Sequence, residues 1–170
     1  MLVVAMVLTL GMCGQAKGID PHIRFVDSHD RALLERGCGQ SATFRELAAR
    51  VEQSDLIVYV RTEYSEPAGA VGRTVIIGSA GGRRYIVITL SRCLPAEALV
   101  ALLGHELQHA VEIADAPEVV NDATLRAFYG RIGIGQQTWD GRWQFDTDAA
   151  VATGRHVLQE ISGHAAAHPH

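Results

Sequence analysis

The sequence lacks both a surplus of basic charge and a long apolar segment, and each absence limits its function. Its 170 residues include 15 basic and 19 acidic side chains, giving a formal net charge of −4 and a pI near 6.0. A chain without a basic surplus has no electrostatic footprint for nucleic acid. Charged residues make up only 20% and apolar residues 48%, which excludes a disordered chain, a collagen-like repeat and a coiled coil. We expect a single globular domain with an ordinary core.

The one apolar run that could concern a membrane lies at the N-terminus. Residues 2–12 are uncharged and mostly aliphatic, and their number suits the hydrophobic region of a signal peptide but is too small to span a bilayer. Small residues precede Lys17, so we expect cleavage there and an exported protein, periplasmic or secreted, with no stable membrane span. The predicted parts are a signal peptide (1–16), a folded domain (17–163) and a loose tail (164–170).

Cysteine and methionine are scarce in the predicted mature chain. All three methionines lie within the predicted signal peptide, and cleavage would leave Cys38 and Cys93 as the remaining cysteines. In an oxidising compartment this pair could form a disulfide. Two ordinary buried thiols are the other interpretation, and the sequence leaves both open.

Apolar periodicity predicts an α+β fold with two N-terminal helices, a small three-stranded sheet and three further helices. The first helix is expected to end at Gly37 and Gly39, and the second to be capped by Ser41 or Thr43. A loop is expected over 130–141. The predicted helices span 28–35, 95–114, 118–129 and 146–161, and the second helix runs from its cap to residue 51. The predicted strands are 56–60, 75–78 and 85–90.

The predicted helix 95–114 contains an H-E-x-x-H motif formed by His105, Glu106 and His109. Four residues turn an α-helix by about 400°, so both imidazoles project from one face. Two imidazoles placed in this way can bind one zinc ion at about 2.0–2.1 Å. Glu106 lies about 100° around the helix, where it could exchange a proton with a water in an open metal position.

The rest of the helix has the amphipathic phase that such a site needs. Its apolar residues are expected to anchor one side in the core, whereas the two histidines share the other side with Glu112. The alternative is a pair of histidines on a solvated surface. The predicted anchoring residues are Leu99, Leu102, Leu103, Leu107, Ala110 and Ile113.

With this motif, segment 94–115 resembles the H-E-x-x-H zinc metallopeptidases, the zincins. The resemblance implies a zinc-dependent hydrolysis of peptide bonds in a peptide or protein substrate, with Glu106 as general base and then general acid. In the metzincin branch, a glycine and a further ligand follow the second histidine, where this chain has Glu112 and Asp115. Metzincins also require a methionine beneath the metal, so this branch is disfavoured.

Gluzincins draw an acidic third ligand from a following helix, and the predicted helix 146–161 resembles that element. Asp146 is the predicted third zinc ligand, with Asp148 as the alternate and Asp115 as a further candidate. Aspartate is one methylene shorter than the glutamate of gluzincins, so this helix must lie closer to the metal. Asp146 could instead only cap the helix. The residues expected to permit close packing are Ala149, Ala150, Ala152 and Gly154.

Three further expectations concern the surroundings of the motif. Glu112 could accept a hydrogen bond that supports the site, or face solvent. Tyr129 and His156 could stabilise an oxyanion, although a buried tyrosine and a surface histidine are the simpler interpretation. The strand predicted at 85–90 could pair with an extended substrate.

Two other classes of protein remain open from the sequence. One is a non-catalytic scaffold that zinc stabilises. The other is a secreted binding module in which no metal binds and the motif is accidental.

Overall fold

The computed structural model describes residues 21–64, 71–137 and 143–167, and the predicted signal peptide lies outside these ranges. The described chain has an α+β fold, as expected, with five α-helices, a four-stranded sheet and a two-stranded sheet. In chain order the elements are β1 (Ile23–Phe25), a 3-10 turn (Ser28–Asp30), α1 (Arg31–Gln40), α2 (Ala42–Glu52), β2 (Leu56–Glu63), β3 (Gly72–Ala80), β4 (Arg83–Ser91), α3 (Ala96–Ala114), α4 (Asp122–Ile132), β5 (Ile134–Gln137), β6 (Trp143–Asp146) and α5 (Asp148–Ala167).

The main sheet has the order β1-β2-β4-β3, so the prediction of three strands is wrong. Strands β1 and β4 both run parallel to β2, and β3 is antiparallel to β4. The additional strand β1 has three residues, too few to show an alternating pattern in the sequence. Gly81 and Gly82 make the β3–β4 turn with φ values of 58° and 74°, as a tight hairpin requires.

The sheet order corrects the expectation that strand 85–90 pairs with a substrate. That segment belongs to β4, whose backbone is hydrogen-bonded to β2 on one side and to β3 on the other. Strand β3 lies at an edge of the sheet and pairs with one neighbour among the described residues. The edge available next to α3 is therefore that of β3.

Two glycines do not end α1 where the sequence predicts. The helix starts at Arg31 and continues through Gly37 and Gly39 to Gln40. The absence of a side chain at Gly37 allows close packing, since a Cβ there would lie 2.7 Å from ring carbons of Phe44. Gly37 therefore serves interhelical contact rather than termination of the helix.

The C-terminal half differs from the prediction mainly at element boundaries. Helix α4 begins at Asp122 rather than at residue 118, because Asn121 and Thr124 form a capping box. Strand β5 lies within the region 130–141 predicted as a loop, and its hairpin partner β6 follows that region. Helix α5 extends to Ala167, which includes the first residues of the predicted tail. Within the described ranges, no helix combines the length and hydropathy needed to cross a membrane.

The two cysteines of the described chain are not joined by a disulfide. Cys38 is buried in α1, whereas Cys93 is exposed after β4. Cys93 instead lies with its Sγ 3.4 Å from the carbonyl oxygen of Tyr64. The structure thus has two unbridged thiols, and the interpretation of two buried thiols holds for Cys38 but is wrong for Cys93.

Helix α3 is the central element of the core. It packs against β2, β3 and β4 and against helices α1, α2 and α5. Most of the predicted apolar side is buried as expected, and only Leu102 is partly exposed. The predicted residues that are buried are Leu99, Leu103, Leu107, Ala110 and Ile113.

A buried arginine on the sheet holds the C-terminal end of α3. The Arg84 guanidinium, 4% exposed, forms a bidentate ion pair with Asp55 at 2.7 Å. It also donates to four backbone carbonyls at the end of the helix and just after it, those of Ile113, Ala114, Ala116 and Val119. The last carbonyls of a helix have no partners within it and carry partial negative charge. Arg84 therefore fixes this end of α3 on the sheet, and its hydrogen bond holds the pKa of Asp55 below the usual value.

Replacing Arg84 with methionine should lower the free energy of unfolding by about 3 kcal/mol or more, because four backbone carbonyls lose a charged hydrogen-bond donor and Asp55 loses its ion-pair partner. Chemical denaturation followed by circular dichroism measures this change. Arg83→Met is the matched control, since the Arg83 side chain is exposed and donates to a single carbonyl, that of Ser54. Equal stability of the two variants would contradict this role of Arg84.

Candidate metal centre

The two histidines of the motif project from one side of α3, as the spacing predicts. Their ring centroids are 4.9 Å apart and the rings are nearly perpendicular, at 81°. The His105 side chain is 19% exposed and that of His109 is 7% exposed. Solvent can thus reach the site from the His105 side, while His109 is held inside the protein.

Asp146 lies opposite both imidazoles. Its Oδ1 is 3.5 Å from Nε2 of His105 and 3.6 Å from Nε2 of His109. One ligand atom from each of the three residues can be chosen so that all lie within 4.8 Å of one another. Among the side chains that the structure describes, this is the one such group of three or more histidine, cysteine and acidic residues.

The geometry of this cluster fits a small divalent ion. Ligand atoms about 2.0–2.1 Å from a tetrahedral zinc ion are separated by roughly 3.3 Å. The two distances from Asp146 are close to this separation. Two imidazoles with one carboxylate are also a known donor set of catalytic zinc sites, which leave one position open. The three residues could therefore hold a metal ion, and their donor set is one that suits zinc.

The other acidic candidates lie outside the cluster. Asp148 is exposed in the first turn of α5, and Asp115 forms an ion pair with Arg50 at 2.8 Å. Asp146 does not cap α5, since the hydroxyl that accepts from the Ala150 backbone N–H belongs to Thr147. Asp146 is thus the acidic residue that the structure brings to the histidines, and its ligation of a metal stays a prediction.

Close packing of α5 on α3 accounts for the position of Asp146. The helices run antiparallel, with Gly154 opposite His105 and Gly104 opposite Val157. A Cβ on Gly154 would lie 3.2 Å from that of His105, and a Cβ on Gly104 2.9 Å from a methyl group of Val157. Of the small residues expected to permit this packing, Gly154 lies at the contact and Ala150 is buried. Ala149 and Ala152 are exposed.

Glu112 supports His109 from behind. Its Oε2 lies 2.9 Å from Nδ1 of His109, and its Oε1 accepts a hydrogen bond from the Thr147 hydroxyl at 2.7 Å. With a side chain only 11% exposed, Glu112 does not face solvent. A carboxylate in this position makes Nδ1 the protonated nitrogen and leaves Nε2 for the Asp146 side.

Tyr129 also lies behind His109, on the side away from Asp146. Its hydroxyl is 3.2 Å from Nδ1 and 3.3 Å from the backbone carbonyl oxygen of His109. This position suits support of the imidazole better than stabilisation of an oxyanion. His156 is exposed on α5.

Glu106 projects in a different direction, toward the sheet. Its side chain is buried, and its Oε2 accepts a hydrogen bond from the Thr74 hydroxyl of β3 at 2.7 Å. Gly72 leaves room for the carboxylate, because a Cβ there would contact Oε1 of Glu106 and would lie 2.8 Å from a methyl group of Leu102. Sequence reasoning missed Gly72 and Thr74, which precede the strand predicted at 75–78.

Opposite charges are concentrated around His109. Burial acts to lower the pKa of His109, but hydrogen bonds to Asp146 and Glu112 raise it from 6.5 to about 9. Burial acts to raise the pKa of Asp146, yet the histidines hold it below its usual value. Burial raises the pKa of Glu106, against the influence of both histidines and of the Thr74 hydroxyl.

Comparison with known proteins gives no further guide to the site. No protein-family model, no curated protein and no solved structure matches the chain. The assignment of a metal centre therefore depends on the residues and distances given above.

In the metal-free protein, His109 should titrate with a pKa near 9. Folding raises the pKa of His109, so protonated His109 stabilises the folded state. This contribution is complete below pH 6.5 and is lost as the pH rises through 9. NMR titration of the imidazole nitrogens measures the pKa directly. Glu112→Gln should lower it, since one of the neighbouring negative charges is removed. A midpoint near 6.5 in the unsubstituted protein would contradict the charge arrangement described here.

Proposed function

We propose that this protein is a zinc-dependent hydrolase that cleaves peptide bonds. The observation that carries the proposal is the position of Asp146 Oδ1, 3.5 and 3.6 Å from the two imidazole nitrogens of an H-E-x-x-H helix. His105, His109 and Asp146 would hold the ion. When bound there, zinc would act as a Lewis acid toward the scissile carbonyl and allow water to act as a nucleophile near neutral pH.

Glu106 would carry the protons of the reaction. Its carboxylate would take a proton from the attacking water and later deliver it to the leaving amine as the C–N bond breaks. Burial raises its pKa, and a general base is most effective when its pKa lies near the working pH. The hydrogen bond from Thr74 and the space at Gly72 keep this carboxylate in one position.

Strand β3 is the element best placed to bind an extended substrate. It lies at the sheet edge and carries Thr74, which contacts Glu106 directly. A peptide that added to this edge would run close to the proposed general base, with main-chain hydrogen bonds supplying affinity. Strand β3 thus takes the substrate-pairing role that the sequence suggested for residues 85–90 of the internal strand β4.

Glu106→Gln should strongly lower the rate of hydrolysis and leave zinc binding intact. Loss of a general base costs about 10²–10⁴-fold in rate, whereas the amide is close in size and the residue is not a proposed ligand. Zinc content by elemental analysis and cleavage of dye-quenched casein measure the two effects. Glu97→Gln, in the first turn of the same helix, is the control and should change neither. An unchanged cleavage rate in Glu106→Gln would contradict its role as general base, and zinc binding without cleavage by the unsubstituted protein would favour a scaffold.

Asp146→Ala should weaken zinc binding by more than the roughly 10–100-fold expected from loss of an outer hydrogen-bonding partner. The matched control is Asp148→Ala, two residues away and exposed, which should bind zinc as the unsubstituted protein does. Competition with a chromophoric chelator gives both affinities. If neither the unsubstituted protein nor the two variants bind zinc, the result would favour a binding module without metal.

A further inference from the structure

Thr147 connects three parts of the candidate metal centre through one buried residue. It lies between β6 and α5, and it is 5% exposed. We propose that Thr147 is a positioning residue that sets His109 and Asp146 in register, so that the affinity of the centre for zinc depends on the docking of the α5 N-terminus on α3. This inference rests on the proposed function, because it concerns the same metal centre.

The Thr147 hydroxyl orients His109 through Glu112. It donates to Oε1 of Glu112 at 2.7 Å, while Oε2 of the same carboxylate lies 2.9 Å from Nδ1 of His109. Both carboxylate oxygens are thereby used, and the plane of the carboxylate is fixed at two points. Outer partners of this kind hold the ring orientation of a metal-binding histidine and raise its basicity.

The same residue also fixes Asp146. The backbone N–H of Thr147 donates to Oδ1 of Asp146 at 2.7 Å, and this is the oxygen that faces both imidazoles. A carboxylate oxygen has more than one lone pair, so this hydrogen bond leaves it able to face an ion. The backbone of Thr147 is held in turn by its own side chain, through Glu112.

The hydroxyl has a second partner that ties the cluster to α5. Its oxygen accepts from the Ala150 backbone N–H at 3.1 Å, as the N-cap of the helix. A hydroxyl has one proton and two lone pairs, so it can serve Glu112 and Ala150 at once. A residue that only capped the helix would need only a hydrogen-bond acceptor. Valine has the shape of threonine but can neither donate to Glu112 nor accept from the Ala150 N–H.

The test is a zinc titration of the metal-free protein against a chromophoric chelator, combined with chemical denaturation. Thr147→Val should raise the Kd for zinc by about 10–100-fold, and Thr147→Ser should restore it to nearly the original value. Asn121→Ala is the control for loss of a cap, because Asn121 caps α4 and has no contact with the cluster. It should lower stability by about 1 kcal/mol without changing the Kd.

Glu112→Gln keeps the proposed test decisive if Thr147→Val does not fold. It interrupts the same hydrogen-bonded chain and should also raise the Kd for zinc. The variant that combines Thr147→Val with Glu112→Gln should have a Kd no higher than that of the single variant with the higher Kd. Additive effects would overturn the proposal, as would an unchanged Kd in Thr147→Val or an equal rise in Asn121→Ala. If zinc binds with normal affinity to every variant, this inference alone fails. If the unsubstituted chain binds no zinc, the proposed function fails with it.

Discussion

The candidate site depends on the close antiparallel contact between α3 and α5. Gly154 leaves α5 near enough to α3 for a Cβ at that position to fall 3.2 Å from the Cβ of His105. An aspartate has a short side chain, so its carboxylate reaches two imidazoles on a neighbouring helix only if the backbones approach closely. Larger side chains at Gly104 and Gly154 would separate the helices and move Asp146 away. The small residues therefore determine which acidic side chain can reach the two histidines.

This packing also places charges of opposite sign side by side in a largely buried region. In the absence of metal, a raised pKa keeps a proton on His109 between the carboxylates of Asp146 and Glu112. Uncompensated carboxylates would be costly there. A divalent ion bound by the same imidazole would displace that proton and supply the compensating charge itself. Metal binding at this residue would accordingly be coupled to proton release.

The sequence predicts the parts of the site that depend on local geometry. The pattern predicts a helix over 95–114, where α3 spans Ala96–Ala114, and the spacing of His105 and His109 places both on one side. The acidic start of the predicted last helix offers Asp146 as the ligand and Asp148 as the alternate. That Asp146 is the one beside the histidines depends on how the β6–α5 junction packs on α3, with Thr147 as the cap of α5, and such contacts are visible only in three dimensions. Strand β1 and the support of Glu106 by Thr74 depend on contacts across long sequence separations, which one sequence does not encode visibly. The hairpin β5–β6 is a local pairing of two four-residue strands, too short to show a clear alternating pattern.

The layered fold explains why a single helix can present the motif in two directions. Glu106 is about 100° around α3 from His105, so the two side chains must have different neighbours. The histidines face α5 and the β6–α5 junction, whereas Glu106 faces β3. A helix packed against helices alone would offer the carboxylate no sheet edge, and one covered by a sheet alone would offer the histidines no Asp146. Because α3 lies between the main sheet and the other helices, it can place Glu106 beside a sheet edge and the histidines beside Asp146.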